Sequence, residues 1–192
     1  MAATQFIIYD LEWTTWPLSR EQRWSAPGEH REVVQMGAIR VDAATLDEID
    51  AFSLYVKPKV NPQLSEFFVE FTGITQSIVD GEGVSFTEAF QRFCAWCEDL
   101  TLYSWGRNDD AVLRENCELN GIAFPLADTR FVDVKAVFKA AQIDISGYRS
   151  STIIQAFGKE APYRGHHGLN DARTVLLGLK ERPGVQEYLS AR

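Results

Sequence analysis

The sequence predicts an α/β domain in which a mixed β-sheet is flanked by α-helices. Strand-like segments come first along its 192 residues, and strands mixed with helices follow, an order typical of such sheets. Hydrophobic residues make up 45% of the chain and charged residues 24%, as in ordinary globular proteins. No repeat, low-complexity stretch or linker divides it. We therefore expect a single domain spanning residues 1–192.

The first elements are predicted to be the strands of a meander. Residues 5–10 form an apolar run typical of a buried strand, and residues 32–42 and 51–58 have the residue types of strands. Residues 13–31 are irregular and interleave tryptophans with arginines: Trp13, Trp16, Arg20, Arg23, Trp24, Arg31. Two alternatives stand for these tryptophans, namely burial or a platform on which single-stranded bases stack.

The elements that follow are mostly helical. Residues 63–82 hold short helical pieces, and Ser85 with Glu88 forms a capping box that opens the next helix. A short strand at 101–106 precedes a helix that ends at Gly121, where glycine suits the left-handed cap. Residues 129–141 read as a brief strand running into a helix. Two further helices are expected near 149–157 and 168–182.

The composition disfavours several classes of protein. No apolar run approaches the ~20 residues that cross a bilayer, and no basic region precedes the first apolar stretch, so we expect a cytoplasmic protein with no membrane partner. Three cysteines argue against a disulfide framework. Cys94 and Cys97 form a C-x-x-C pair inside a helical pattern, which favours packed thiols over redox chemistry or metal binding. The formal charge of −8 counts against nucleic acid, although acids at a metal site contribute to it.

Acidic residues at three places in the sequence call for a joint explanation. Asp10 and Glu12 are separated by one residue, so in a strand their side chains share one face. Acids follow a strand in SWGRNDD (104–110), and histidines precede Asp171 in RGHHGLNDAR (164–173). Since clefts form at strand ends in open α/β sheets, we expect these acids to converge. Such a cluster selects Mg²⁺ or Mn²⁺, and two such ions act together on phosphodiesters.

These motifs resemble those of the DEDDh 3′-to-5′ exonucleases, and they are most similar to the histone-mRNA 3′-exonuclease-like branch, which has bacterial members. Asp10-Leu11-Glu12 matches the first motif, D-x-E. SWGRND matches the second and selects Asp109, and HHGLNDA matches the third and selects His166 and Asp171. HREVVQMGAIRVD and FTGIT resemble further family segments, so the resemblance covers nearly the whole chain.

The resemblance implies a fold, an activity and a set of roles. The fold is an RNase H-like mixed β-sheet flanked by α-helices. The activity is hydrolysis of RNA or single-stranded DNA from a free 3′ end to nucleoside 5′-monophosphates, with two divalent cations, Mg²⁺ or Mn²⁺. Asp10 would bridge both ions, Glu12 and Asp171 would complete the tighter site, and Asp109 would hold the second ion through water. His166 would activate the attacking water. These five residues are the expected catalytic set.

The substrate is expected beside this set. Main-chain groups just after Glu12 resemble those that receive the 3′ end, and the predicted substrate-binding residues are Leu11, Trp13, Thr14, Trp105 and Arg107. A core position is the alternative for Trp105. The candidates for phosphate contacts, each with plain solvation as its alternative, are Arg107, Arg149, Lys159 and Arg164. Asp110 is expected to cap the helix that begins beside Asp109.

Two other functions fit parts of the sequence. An oligoribonuclease-like degrader of very short RNAs has the same four acids and resembles the YDLEWT start, but SWG and FTGIT favour the first assignment. A catalytically inactive nucleic-acid-binding module is expected to have lost at least one of the five residues, and all five are present.

Overall fold

A computed structural model describes residues 5–182 together with Val185 and Leu189. Its centre is a six-stranded sheet in the order β4-β3-β2-β1-β5-β6. The strands are β1 (Gln5–Trp13), β2 (Val33–Asp42), β3 (Glu48–Lys57), β4 (Val84–Ser85), β5 (Leu102–Ser104) and β6 (Phe131–Asp133). The first three form an antiparallel meander, and β5 and β6 continue the sheet in parallel with β1. The predicted mixed sheet is confirmed.

Helices cover both faces of this sheet. They are α1 (Glu66–Thr72), α2 (Gln76–Glu82), α3 (Phe86–Cys97), α4 (Asn108–Asn120), α5 (Lys135–Ala140) and α6 (Gly168–Lys180). The helix expected near 149–157 is a 3₁₀ helix, Ser150–Phe157, and a second short 3₁₀ turn covers Asp128–Arg130. In the part of the chain described, no helix combines the length and the apolar character needed to span a bilayer.

Two hydrophobic cores lie on opposite faces because side chains alternate along each strand. On one face, Phe6 and Ile8 of β1 pack with Val175 and Leu179 of α6. On the other, odd-numbered β1 residues such as Tyr9 pack against α3 and α4. Asp10 and Glu12 continue the even-numbered row, so they belong to the face that carries α6.

β1 is longer than the sequence predicts. The apolar run ends before Asp10, but the strand continues to Trp13 because Asp10 pairs with Gly37 and Glu12 with Gln35 of β2. The register shifts only between Glu12 and Trp13. Asp10 and Glu12 therefore lie inside a hydrogen-bonded strand, and the sheet fixes the positions of both residues.

The residues at the helix ends agree with some of the predicted caps and differ from others. Ser85 Oγ accepts from the Glu88 amide at 3.2 Å, while the Glu88 carboxylate pairs with Arg92, so only half of the predicted capping box is formed. Gly121 adopts φ 66° and ends α4 as predicted. The prediction that Asp110 caps α4 is wrong, because Arg107 occupies the N-cap position. The Asp110 carboxylate lies in the first turn and accepts two bonds from Arg107, at 3.0 and 2.7 Å.

The C-x-x-C pair lies on the apolar side of α3. Cys97 is buried in the core and Cys94 is half-buried against it, and both are free thiols. Burial raises the pKa of the Cys94 thiol to about 12, and it also raises the pKa of Cys97. Thiols held in their neutral form are poor nucleophiles and poor metal ligands, which agrees with packing as their role.

Candidate active site

The site forms where α6 meets the end of β1, and two glycines make that contact. A Cβ at Gly37 would overlap the main chain of Gly168 and Leu169. A Cβ at Gly168 would lie 2.5 Å from the Asp10 carbonyl oxygen. Since neither residue has a side chain, the start of α6 rests directly on the paired backbones of β1 and β2. This contact brings Asp171, in the first turn of α6, to the two acids of β1.

Gln35 fixes the same end of α6, and the sequence analysis missed it. Its buried side chain accepts from the Gly168 amide at 2.9 Å through Oε1. Its Nε2 lies 2.8 Å from Nε2 of His167, the residue that occupies the N-cap position without capping through its own side chain. Because Gln35 pairs with Glu12 in the sheet, it links the acids of β1 to α6. A lone amide within the apolar run VVQMGAI was the available signal.

Asp109 reaches the site from the opposite layer. β5 pairs with β1 only at Ile7 and Ile8, so the edge of β1 beyond that point lacks a strand partner. The Leu11 amide on this edge donates to Asp109 Oδ1 at 3.0 Å. The expected convergence of acids at the ends of neighbouring parallel strands therefore occurs, with one of them bonded to the strand itself.

Asp171 and His166 are held together by the loop before α6. The His166 amide donates to Asp171 Oδ1 at 3.2 Å, and Ser150 Oγ donates to Asp171 Oδ2 at 3.3 Å. His166 has φ 60°, a strained value for a residue other than glycine. Its ring packs on Phe71 of α1, with the centroids 3.8 Å apart. Ser150 carried no local sequence signal, and Phe71 belongs to the FTGIT segment, whose place beside the site the sequence did not indicate.

We call Asp10, Glu12, Asp109 and Asp171 the acidic floor. Burial raises the pKa of all four carboxyl groups, and for Asp10 and Glu12 the charges of Asp171 and Asp109 raise it further. The pKa values of Asp109 and Asp171 rise to about 7. Hydrogen bonds from the Leu11 amide and from Ser150 counteract part of these increases. The fold thus gathers charges that repel one another.

The acidic floor has the chemistry of a divalent-cation site. None of its four carboxylates takes part in the salt bridges found among the described residues. Glu12, His166 and Asp171 offer ligand atoms within 4.8 Å of one another. Oxygen donors in this number are what Mg²⁺ and Mn²⁺ select. The residues therefore fit a divalent-cation site.

Burial and three nearby arginines act on His166. Burial lowers the pKa of its imidazole, and the guanidinium groups of Arg149, Arg164 and Arg20 lower it further. The ring is therefore neutral at neutral pH and has a free lone pair. A neutral imidazole beside the acidic floor is able to accept a proton from water.

All five predicted catalytic residues line one cleft of about 900 Å³. Leu11, Trp13 and Trp105 line it as well. Trp105 is half-buried between the cleft and Phe138, whose ring centroid lies 5.7 Å away, so it has both a core contact and a cleft surface. The structure therefore brings the predicted catalytic set and most of the predicted substrate-binding residues to one place.

Two of the predicted substrate-binding residues lie outside the lining of this cleft. Thr14 is buried, its amide donates to the Glu32 carbonyl, and its carbonyl accepts from Trp24 Nε1. Arg107 is occupied by Asp110 and by the Phe131 carbonyl. These bonds use the groups through which Thr14 and Arg107 were expected to contact substrate.

The other basic residues predicted to contact phosphates differ in their positions relative to the cleft. Arg149 lines the cleft. Arg164 lies close enough to His166 to act on it electrostatically, and its Nη2 lies 3.5 Å from the Glu70 carbonyl. Lys159 pairs with Glu181 beyond α6, away from the cleft lining. A fourth basic residue, Arg20, lines the cleft from the tryptophan-rich stretch.

A scan against protein families matches residues 7–177 to the family described as Exonuclease (RNase_T). Among curated proteins, the chain is 27% identical to "Probable 3′-5′ exonuclease KapD" of Bacillus subtilis, covering 98% of this chain and 89% of the relative. It is 24% identical to "3′-5′ exoribonuclease 1" of Rattus norvegicus, covering 75% of this chain. That match spans only 44% of the rat protein.

Solved structures share the fold. The nuclease domain of 3′hExo, described as a DEDDh family member bound to rAMP, aligns with a TM-score of 0.75 and 23% identity over 93% of this chain and 92% of that one. A 3′-exonuclease described with 3′-end specific recognition of a histone mRNA stem-loop aligns at 0.80 and 20% identity, covering 99% of this chain and 85% of that one. The predicted RNase H-like fold is confirmed.

Proposed function

The chain belongs to the RNase_T exonuclease family, and from this membership we propose that it is a 3′-to-5′ exonuclease. Its substrate is RNA or single-stranded DNA with a free 3′ end. Its products are nucleoside 5′-monophosphates, released one at a time. Relatives named as 3′-5′ exonucleases support this direction of attack.

One observation carries the proposal: four carboxylates and one histidine line a single cleft, and the four carboxylates lack a basic partner among the described residues. A structural role does not explain this arrangement, because buried acids that repel one another destabilise a fold. Metal-assisted hydrolysis of a phosphodiester does explain it. Asp10, Glu12, Asp109 and Asp171 would hold two cations, Mg²⁺ or Mn²⁺. When bound, these ions stabilise the negative charge that develops on the phosphodiester during hydrolysis.

His166 is the proposed general base. Its ring lies at the acidic floor, where water would attack the phosphorus atom, and its lowered pKa keeps it neutral. The imidazole takes the proton from the attacking water as the new phosphorus–oxygen bond forms and the bond to the leaving 3′-oxygen breaks. Phe71 packs on the ring, and the Asp171 carboxylate accepts from the His166 main-chain amide, so both side chain and backbone are held in this position.

The walls of the cleft suit an unpaired 3′-terminal nucleotide. Phe67 and Phe71 of α1 stack on each other with centroids 5.9 Å apart and remain partly exposed, at 40% and 39%. Aromatic faces of this kind bind bases without regard to sequence. The positively charged Arg149 and Arg20, which line the same cleft, suit the phosphates on either side of that base.

The test is digestion of a labelled oligonucleotide. With Mg²⁺ or Mn²⁺ we expect stepwise loss of nucleotides from the 3′ end, and EDTA stops it. Asp10→Asn lowers the rate by 10³-fold or more with the fold intact, whereas the exposed Asp99→Asn, made as a control, leaves the rate unchanged. A 3′-phosphate blocks digestion. Equal degradation of blocked and free strands would overturn the exonuclease proposal.

Oligomers of two to twenty nucleotides separate the main proposal from an oligoribonuclease-like activity. A general 3′-to-5′ exonuclease degrades all of these lengths, whereas a degrader of very short RNAs stops acting as the length increases. Binding without cleavage in the presence of either cation would instead identify an inactive nucleic-acid-binding module.

A further inference from the structure

Residues 14–31 form a folded wall of the cleft, which we call the entry wall. Ser19 is fully buried at its centre. Its hydroxyl accepts from the Trp16 amide at 2.9 Å and donates to the Glu29 carboxylate at 3.0 Å, and its carbonyl accepts from the Trp24 amide at 2.8 Å. These bonds connect both halves of the stretch, so its side chains have defined positions.

The Trp24 side chain of the entry wall is held by three contacts. Its Nε1 donates to the Thr14 carbonyl at 2.9 Å, and its ring meets the Trp13 ring edge-on with centroids 6.2 Å apart. The guanidinium of Arg31 lies 5.7 Å from its centroid. Trp24 nevertheless remains only half-buried. A ring held on these sides but still partly open to solvent is a preorganised surface for another flat group.

The entry wall separates the cleft from a second groove. This groove, of about 430 Å³, lies between the entry wall and the end of α4, where Glu115, Asn116 and Leu119 line it. Three residues line both the cleft and the groove: Arg23, Trp24 and Arg31. These three residues therefore stand between the cleft and the groove. A strand whose 3′ nucleotide occupies the cleft would pass the Trp24 ring on its way to the groove.

The charges along this path are uneven. Arg31 pairs with Glu115, and Glu29 and Glu118 also line the groove, so the groove itself is not strongly basic. Among the described residues, Arg23 takes part in no salt bridge, and it stands at the point where groove and cleft meet. In a chain of net charge −8, an unpaired arginine at this junction suits a phosphate.

We propose that Trp24 is a stacking platform for the nucleotide upstream of the one being removed, and that Arg23 contacts the phosphate of this upstream nucleotide. The proposal rests on the exonuclease function and assigns the entry wall to a second nucleotide subsite. The occupant is a single strand, because a base that stacks on Trp24 has to leave its own partner. The subsite adds affinity without reading sequence.

Affinity measured against strand length tests this subsite. Oligonucleotides of one to six residues, with a 3′-terminal phosphorothioate linkage where they have more than one residue, are titrated with Mg²⁺ present. For the natural chain, the affinity increases at the second or third nucleotide. Trp24→Ala reduces this increase by about tenfold or more. Trp24→Phe, which keeps a ring but loses the bond to Thr14, restores most of it, and Arg23→Gln reduces it by a smaller factor.

The control is Arg92→Gln, at an exposed arginine of α3. This substitution removes one positive charge, as Arg23→Gln does, and should leave the length-dependent increase in affinity unchanged. The subsite is overturned if Trp24→Ala binds all lengths as the natural chain does, or if Trp24→Phe is as weak as Trp24→Ala. Hydrolysis by the natural chain is scored separately. Absence of hydrolysis with the length effect intact would refute the exonuclease proposal and leave the subsite standing.

Discussion

The acidic floor and the entry wall surround the same cleft but are built in different ways. The floor stands on regular elements, β1, α4 and α6: α6 rests on the backbones of β1 and β2 at Gly168 and Gly37, and Asp109 of α4 bonds to β1. The entry wall contains no helix or strand beyond Trp13 and depends on side-chain bonds centred on Ser19. The floor brings together charges that repel, whereas the wall brings together rings and arginines that attract.

We infer from this difference that the acidic floor serves the chemical step and that the entry wall serves substrate binding. Reacting groups need positions fixed to a fraction of an ångström, and packed regular elements provide such positions. A wall that contacts the substrate at a distance from the reacting atoms tolerates an irregular backbone. Changes to the floor should therefore alter stability and turnover together, while changes to the wall should mainly alter binding.

The largest effect is expected at Gly37. In Gly37→Ala the new methyl group overlaps the main chain of Gly168 and Leu169, so α6 has to move away from the sheet. We expect a loss of about 3 kcal/mol or more in unfolding free energy, together with loss of activity. Urea denaturation measures the unfolding free energy. Gly81→Ala is the matched control, because nothing lies within 4 Å of its added Cβ. An equal effect at both glycines would contradict the backbone contact.

The second-largest effect is expected in the pH dependence of the unfolding free energy when no cation is bound. The pKa of Asp171 rises from 3.8 to about 7 on folding, so the unfolded state loses its proton first as the pH increases. The unfolding free energy then falls between about pH 4 and pH 7. Asp171→Asn removes this titration. At pH 8 in EDTA the variant should be more stable than the natural chain by about 2–4 kcal/mol, since each unit of pKa corresponds to about 1.4 kcal/mol.

Denaturation of both proteins at pH 5 and pH 8 measures this effect. The difference in stability should be smaller at pH 5, where the natural carboxyl group is already protonated in the folded state. Adding Mg²⁺ at pH 8 should stabilise the natural chain more than the variant, because bound cations stabilise the folded state only where their ligands are complete. A variant that is less stable than the natural chain at pH 8 in EDTA would contradict the repulsion.

A smaller effect is expected at Gln35. Gln35→Ala leaves the Gly168 amide without its acceptor and removes the contact to His167, so the first turn of α6 loses its fixed position. We expect kcat to fall by about tenfold while KM changes little, because Gln35 does not line the cleft. Ser53→Ala removes only the longer 3.5 Å contact to Gln35 and serves as the control. A rise in KM alone would exclude a positioning role.

The smallest effect is expected at Ser19, in the entry wall. Ser19→Ala removes the bonds to the Trp16 amide and Glu29, at a cost of about 1 kcal/mol. Affinity for oligonucleotides should fall a few-fold, while the affinity of the acidic floor for Mn²⁺, measured by calorimetry, should not change. Ser25→Ala, at an exposed position of the same wall, is the control. A change in Mn²⁺ affinity would show that wall and floor are coupled.

The acidic floor was predictable from local rules together with the resemblance to the DEDDh exonucleases. The spacing of Asp10 and Glu12 predicted their shared face, whereas the match to the family motifs selected Asp109 over Asp110 and singled out Asp171. The order of elements gave the sheet that joins these segments. Asp110 shows where such rules fail, because its local preference for a helix cap lost to a two-bond contact with Arg107.

The entry wall and the supports of the floor were not predictable in the same way. Ser19 is fully buried although the adjacent Leu18 is exposed, and no pattern in the sequence indicates this burial. Ser150 and Phe71 become part of the site only because a 3₁₀ turn and α1 fold against the loop before α6. Contacts of this kind depend on tertiary packing, which patterns of neighbouring residues do not encode.

The bond between the Leu11 amide and Asp109 has a practical consequence. One carboxylate completes the hydrogen bonding of a central strand and also borders the space in which cations are proposed to lie. Filling that space withdraws electron density from the oxygen that Leu11 contacts. The Leu11 amide proton is therefore a natural reporter: its NMR chemical shift and its exchange with deuterium should follow cation occupancy without any label near the reaction.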